Sequence, residues 1–435
     1  MARIPVESAS ASEIVVEGRR LLAFGGCNYL GLAHHPSVLR AVREGLETYG
    51  LSTTASRETT GDTISHDLLE AELAGFLQTQ QCLVTPEGYS ANMALGQALA
   101  RGFRVAITDE KCHRSVSHAV AAAGLRVIAY PHLDVRGAAS LAQQYSTEGV
   151  VILTDGVFAA DGSVAPARSL LEALPQGKSL LVIDDCHGFC VLGRSGRGTA
   201  DHHGLSGPGR PLDPRVIVTT TLAKGLGCYG GCVAGASSIV QLAQDIASVY
   251  RGTTPCPPAI IEGAREALRT VEREPVLIQR LRANADRLRR GLASLGINAA
   301  PTPAPIFTFI VADVPAMERV HQRMRDAGIL APLISYPGGP ADRYFRLTVN
   351  ASHTGEQIDR LLESLREAMS EERIDPSRAA AHAAVAPKAS RTDASPGPLR
   401  LVSGTVDAPA DPRPAMIGPW DVEVPRPRAN PSTSP

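Results

Sequence analysis

Thr219–Gly231 reads TTTLAKGLGCYGG, and the reading of the fold starts there. A β-branched run, Val216–Thr221, delivers one lysine, Lys224, onto a glycine-rich turn, the kind of backbone that lets a ligand come close. Lysine forms imines with carbonyl compounds when its amine is kept neutral by desolvation or nearby positive charge, and the neighbours here are apolar and uncharged. Lys224 is therefore the candidate nucleophile. Taken alone, the stretch is better explained by a surface lysine after a strand, so the rest of the chain decides.

Upstream, short apolar runs alternate with helical stretches. Cys82–Thr85, Val105–Thr108, Val127–Tyr130, Val150–Thr154, Leu180–Ile183 and Val216–Thr221 predict the strands of a mostly parallel α/β sheet. In such sheets ligands sit beyond the carboxyl ends of the strands. Gly88 and Tyr89 follow the first run, Asp109 and His113 the second, Asp155 the fourth, Asp184 and His187 the fifth, and Lys224 the last.

Before this region, Leu21–Leu32 reads as a strand and turn, followed by a helix to Tyr49. Leu51–Thr63, LSTTASRETTGDT, is too small and polar to form core. It reads as a loop touching a ligand or a partner subunit, or as a plain connection. Helix follows over His66–Leu77. After Pro257-Pro258 come an arginine-rich helical region to Leu295, a strand at Phe307–Val311, a helix through Ala327, a strand at Tyr344–Val349 and a helix at Glu356–Met369. The predicted organisation is an N-terminal segment over 1–50, a large domain over 51–270, a smaller C-terminal α/β domain over 271–370 and a disordered Pro/Ala/Ser-rich tail over 371–435. The tail's MIGPWDVEV reads as a docking motif or as nothing.

The 435 residues carry a net charge of −1, which argues against nucleic acid as a partner. Met1–Arg20 has neither the apolar core of a signal peptide nor the character of a transit peptide, and no run is long enough for a membrane span. A cytoplasmic protein is expected. The eight cysteines are scattered through apolar or glycine-rich segments and read as buried thiols. Cys186, His187 and Cys190, like Cys228 and Cys232, lack the paired spacing of a zinc site, so no metal is expected.

The strand ends carry the chemistry. TPEGYSAN (Thr85–Asn92) passes from strand through glycine into helix, so backbone N–H groups and the helix dipole make an anion site, to which Thr221 adds a hydroxyl. Asp184 ends a buried apolar strand and should meet a cation. His113 and His187 lie at strand ends, where each reads singly as a satisfied core histidine. Arg346, alone in an apolar strand, suits a carboxylate. A lysine amine, a phosphate cradle, a carboxylate wanting a cation and an arginine wanting a carboxylate together describe a pyridoxal 5'-phosphate (PLP) site.

NYLGL (Asn28–Leu32), GYSAN (Gly88–Asn92), DGVFAADG (Asp155–Gly162), IDDCHG (Ile183–Gly188), GRSGRG (Gly193–Gly198), TLAKGLG (Thr221–Gly227) and FRLTVNASHT (Phe345–Thr354) follow in an order that resembles the α-oxoamine synthase family. The resemblance runs from about Leu21 to Met369. It implies a PLP-dependent transferase of fold type I, a homodimer that condenses an amino acid with an acyl thioester, on coenzyme A or an acyl carrier protein, and releases carbon dioxide. It further implies Lys224 as imine lysine and proton-transfer base, Asp184 beside the ring nitrogen, His187 on the phenolic oxygen and His113 stacked on the ring. Gly88, Tyr89 and Thr221 would hold phosphate, joined by Thr254 from the other subunit, with Arg346 on the substrate carboxylate and Asn28 near the substrate. Ala159 stands where the family usually has serine, Cys112 where it has asparagine, and Ile334–Pro340 (ISYPGGP) forms a divergent substrate-side loop. The cofactor cradle itself is equally that of an aminotransferase or a C–C lyase, and a non-catalytic subunit would be expected to lack the lysine.

Overall fold

The computed structural model describes residues 4–375. Of its first strands, β1 (Ser8–Ala9) and β2 (Glu13–Val16) lie where sequence reading placed no element, and β3 (Arg19–Ala23) overlaps the strand read from Leu21. Glu17 and Gly18, at φ 52° and 69°, form the two-residue turn between β2 and β3. These strands are too short to show a period, and burial of Val16, Leu21 and Leu22 is what holds them.

The central sheet comprises β4 (Gln81–Thr85), β5 (Val105–Asp109), β6 (Arg126–Tyr130), β7 (Val150–Asp155), β8 (Ser179–Asp184), β9 (Val216–Thr221) and β10 (Gly231–Gly235) in the order β4-β10-β9-β8-β7-β5-β6. All neighbours are parallel except β10, which runs antiparallel to both β4 and β9. The mostly parallel α/β sheet is thus present, with one strand more than the apolar runs announced. β10 is GCVAG, and small residues hide it from a hydrophobicity reading. Its Gly231 is required by close approach, since a Cβ there would stand 2.4 Å from Glu87 O.

The strands are apolar on both faces because helices cover both. Val105 and Ile107 pack into one layer with Ile152, Leu181, Ile183 and Val218, while Ala106 points to the other with Val151, Val182, Ile217 and Val233. Helix Gly88–Ala100 leaves the end of β4 and lies close along helix Arg114–Ala122, where a Cβ on Gly96 would meet Ala119 O at 2.7 Å. That close fit fixes where the first turn of Gly88–Ala100 points.

A three-stranded sheet in the order β11 (Ile306–Phe309), β14 (Tyr344–Thr348), β13 (Leu333–Ile334) has its own core, built with helices Val276–Ser294, Val314–Asp326 and Gly355–Glu371. The N-terminal strands join this part of the chain: β12 (Ile329–Leu330) pairs in parallel with β3, and Leu22 and Phe24 pack among Phe307, Phe345 and Leu361. Of the predicted tail, residues 376–435 and the MIGPWDVEV stretch lie outside the described residues.

Candidate active site

The carboxyl ends of β4, β7, β8 and β9 surround a cavity of about 220 Å³ whose lining includes Gly88, Tyr89, His113, Asp184, His187, Thr221 and Lys224. Lys224 reaches it from a turn that only glycine permits. A Cβ on Gly225 would meet Phe189 O at 2.4 Å, and Gly227 (φ 65°) has Ala33 N equally near. Lys224 Nζ lies 2.9 Å from His187 Nε2, and His187 Nδ1 lies 2.8 Å from the hydroxyl of buried Tyr29. Burial, then the charge of Lys224, holds the His187 imidazole well below its ordinary pKa, so it is neutral. With Lys224 charged, Nε2 accepts from Nζ–H and Nδ1–H donates to Tyr29, whose own ionisation burial pushes upward.

Asp184 meets hydrogen-bond donors in this chain where sequence reading asked for a cation. Its Oδ2 accepts from Asn92 Nδ2 at 2.7 Å and its Oδ1 from the Cys186 N–H at 3.1 Å. Asn92 in turn donates to Ser115 Oγ (2.9 Å) and accepts from Thr219 Oγ1 (2.7 Å). Ser115 Oγ is 2.7 Å from His113 Nδ1, so one network runs from the histidine to the carboxylate. Beside it, Asp155 pairs in register with Asp184 across β7 and β8 and accepts the His113 N–H at 3.1 Å on both oxygens. Burial and the Asp184 charge push the Asp155 carboxyl well up. Two adjacent buried carboxylates make this floor a place where positive charge is favoured.

At the other end, the backbone N–H groups of the Gly88–Ala100 helix start were expected to be free. They are occupied. Glu87, the N-cap residue, folds its side chain back so that Oε2 accepts from Tyr89 N (2.9 Å) and Oε1 from Ser90 N (2.7 Å), while Ser90 Oγ accepts from Glu87 N (3.1 Å). Gly88 is crowded, its missing Cβ 3.0 Å from Thr221 Cβ. Thr221 Oγ1 donates to Gly230 O at 3.1 Å. The Leu51–Thr63 loop is not among the cavity lining. Its Arg57, only 5% exposed in the side chain, bonds Glu70 (2.5 Å), Asp62 (2.6 Å) and Asp67 (3.1 Å), and Glu70 accepts the Val84 N–H of β4 at 2.8 Å.

Arg346 stands next to the cavity. Its Nε donates to Ala159 O at 2.7 Å, its charge is felt by His187 and Tyr29, and it has no acidic partner among the described residues. Asn28 is not among the cavity lining: its Oδ1 accepts the Ala33 N–H at 3.3 Å, and its neighbour Tyr29 makes the connection to the site. Thr254 is exposed and lies outside the cavity lining of its own chain. A second cavity of about 210 Å³ shares His113, Asp155 and Ala159 with the first and is closed by Tyr336 and Pro337 from the divergent loop.

Sequence reading missed Tyr29, Asn92, Glu87 and Asp185. The last accepts from Thr199 N (2.8 Å) and Oγ1 (2.6 Å), and burial pushes its carboxyl up to about 6. All four sit inside quoted motifs. The repeated Asp in IDDCHG was the clearest available signal, because a second buried carboxylate needs its own donors.

These residues fit PLP. The amine of Lys224 faces a neutral imidazole, Asp184 offers a buried carboxylate oriented by two donors, and His113 borders the space between. An anion already stands on the helix start in the form of the Glu87 carboxylate, which demonstrates that the cradle holds negative charge. The eight cysteines are free thiols, and burial pushes Cys186 and Cys112 well up, which leaves them protonated.

Residues 19–365 match the family of class I and II aminotransferases. The chain is 37% identical over 369 residues to 8-amino-7-oxononanoate synthase from Methylococcus capsulatus, an alignment spanning 84% of this chain and 94% of the relative. It is 35% identical over 373 residues to the enzyme of that name from Thioalkalivibrio sulfidiphilus, spanning 85% and 93%. Among solved structures, serine palmitoyltransferase from S. paucimobilis with a bound PLP–myriocin aldimine superposes with a TM-score of 0.79 at 24% identity, over 85% of this chain and 93% of that one. 8-Amino-7-oxononanoate synthase from Francisella tularensis gives 0.68 at 22% identity, over 81% and 99%. The structural likeness carries the fold and the sequence identity carries the family. This chain belongs to the α-oxoamine synthase family of PLP-dependent acyltransferases, with the fold type I architecture of the class I and II aminotransferases.

Proposed function

We propose that this protein joins the α-carbon of a small amino acid to the acyl group of a thioester, carried on coenzyme A or on an acyl carrier protein, and releases carbon dioxide to leave an α-amino ketone. The observation that carries the reading is the Lys224–His187–Tyr29 chain facing Asp184 across one cavity, with Arg346, which has no acidic partner among the described residues, beside it. The relatives' printed product, 8-amino-7-oxononanoate, has nitrogen and carbonyl oxygen on adjacent carbons, as such a joining leaves them.

Lys224 Nζ is the group that links to the cofactor and moves the α-proton, and His187 Nε2 holds it in position as a neutral acceptor. Asp184, oriented by Asn92 and the Cys186 N–H, would be the group that meets the ring nitrogen and would hold a proton there. PLP, when bound, supplies the electron sink that stabilises negative charge at the α-carbon. Arg346 takes the amino acid's carboxylate through its guanidinium. The second cavity, between His113, Ala159 and Tyr336, admits the thioester. In this reading Lys224, Asp184, His187 and His113 do the chemistry, Gly88, Tyr89 and Thr221 seat the phosphate, and residues 51–270 form the cofactor domain against a smaller domain over 271–370. The protein works as a cytoplasmic homodimer, with Thr254 of each subunit meeting the other's phosphate.

The test is exchange of the α-proton of glycine, alanine and serine for deuterium by the PLP-loaded protein, read by NMR, with Lys224→Ala as control. One amino acid should exchange, and free thiol should appear only when a thioester is added. A thiol that never appears, with a 2-oxo acid formed in its place, would make the protein an aminotransferase.

A further inference from the structure

The geometry points to Glu87 as a built-in competitor for the cofactor's phosphate: its carboxylate holds the helix start that the phosphate needs, and PLP binds only by displacing it. The inference rests on PLP binding and not on the choice of amino acid or thioester.

A helix start has few donors, and a group placed on the helix axis uses those of the first turn. Here Tyr89 N and Ser90 N already donate to Glu87, at 2.9 and 2.7 Å. Phosphate cannot take the same N–H groups while the carboxylate stays, and a carboxylate left beside it would repel it. Nothing nearby neutralises that repulsion. Glu87 forms no ion pair among the described residues, and the cavity's one lysine, Lys224, is engaged with His187. No backward shift of the helix is open either, since Gly88 is already tight against Thr221 and Gly231 has no room for a Cβ beside Glu87 O. The mobile part of the cradle is therefore the Glu87 side chain, which is only half-buried and can turn outward. When it does, Ser90 loses the reciprocal half of its capping box, and the phosphate replaces the lost acceptor.

The experiment compares PLP with pyridoxal, which has the same ring and aldehyde but no phosphate. Both are titrated into the cofactor-free full chain, and the visible absorption of the bound aldehyde gives each Kd. Glu87→Ser remains a competent N-cap, Glu87→Gln keeps the side chain's length without its charge, and Glu87→Asp keeps the charge. Expected is PLP binding about tenfold or more tighter in the Gln and Ser variants than in wild type. Pyridoxal should change by less than about twofold, and the Asp variant should keep the wild-type ratio of the two constants. Inorganic phosphate should compete with PLP more strongly in the Ser variant than in wild type. Equal loosening of both aldehydes would show a merely structural cap and overturn the inference, as would an unchanged ratio in the neutral variants. A visible band with pyridoxal but none with PLP in the neutral variants would also overturn it. No band with either aldehyde in any variant would overturn the cofactor assignment along with it.

Discussion

The two ends of the cavity are built on different terms. At the β8–β9 end, His187, Tyr29, Asp184 and Asn92 each have a partner that a bound ring would leave in place. At the β4 end, two of the helix-start donors are taken by a side chain of the protein itself. The ring end is preorganised and the phosphate end must be opened. Affinity for cofactor and positioning of the lysine are thus set by separate groups, and they should respond separately to mutation.

The largest effect belongs to the ring end. Lys224→Ala removes both the link to the cofactor and the base, and activity should fall by about 10²–10⁴-fold or more while PLP phosphate contacts persist. Thiol release assayed on the purified variant checks this, and retention of activity within tenfold would break the assignment of the two ends. Next is the tether below the phosphate end. Arg57→Ala leaves Glu70 buried without its cation, under the Val84 N–H of β4. Unfolding in urea should show a loss of about 3 kcal/mol, with PLP affinity reduced along with it. A stable variant with weakened PLP binding would instead make the loop a direct cofactor contact.

A pH effect probes the support behind Tyr29. The Ala351 N–H donates to Tyr29 O at 2.8 Å, and His353, two residues on, stacks on Phe24 and accepts the Asn350 N–H. Burial lowers His353 from 6.5 to about 4. Its folded pKa is depressed, so the neutral form favours folding. That contribution is complete above about pH 6.5 and is lost as pH falls toward 4, to a total of about 3 kcal/mol. The stability profile of His353→Gln should be flatter than wild type by that amount across this window, and parallel profiles would refute it. The smallest effect is at the second cavity. Tyr336→Ala should raise the KM for the thioester about fivefold and leave kcat within about twofold, because it borders the donor space and makes no hydrogen bond to Lys224, His187 or Asp184.

Most of the central sheet was legible because each parallel strand is a closed apolar run, from Val105 to Thr221, with its chemical residue one step beyond. β10 was not, since GCVAG is buried by the closeness of its neighbours and carries no large side chain to announce it. The same divide runs through the site. Lys224, Asp184 and His187 stand where strand ends must put them, and reading the strands locates them. Tyr29 reaches His187 from far along the sequence, and only the fold brings the two together. Glu87 was visible in TPEGYSAN, yet the anion site was read from backbone and glycine, and the possibility that an adjacent acid would fill it requires the side chain's actual path. Arg57 is similar: its acids, Asp62, Asp67 and Glu70, all follow within one loop and helix turn, and they converge on one guanidinium in a loop read as a contact with a ligand or partner subunit, or as a plain connection.

The central claim is that the lysine end serves condensation. The most direct measurement supplies the PLP-loaded protein with a carboxyl-labelled amino acid and an acyl thioester, and follows labelled carbon dioxide and free thiol together. Equal amounts of both, each requiring the other substrate and each abolished in Lys224→Ala, is the predicted result. Label retained in a 2-oxo acid, or carbon dioxide released without any thiol, would contradict it.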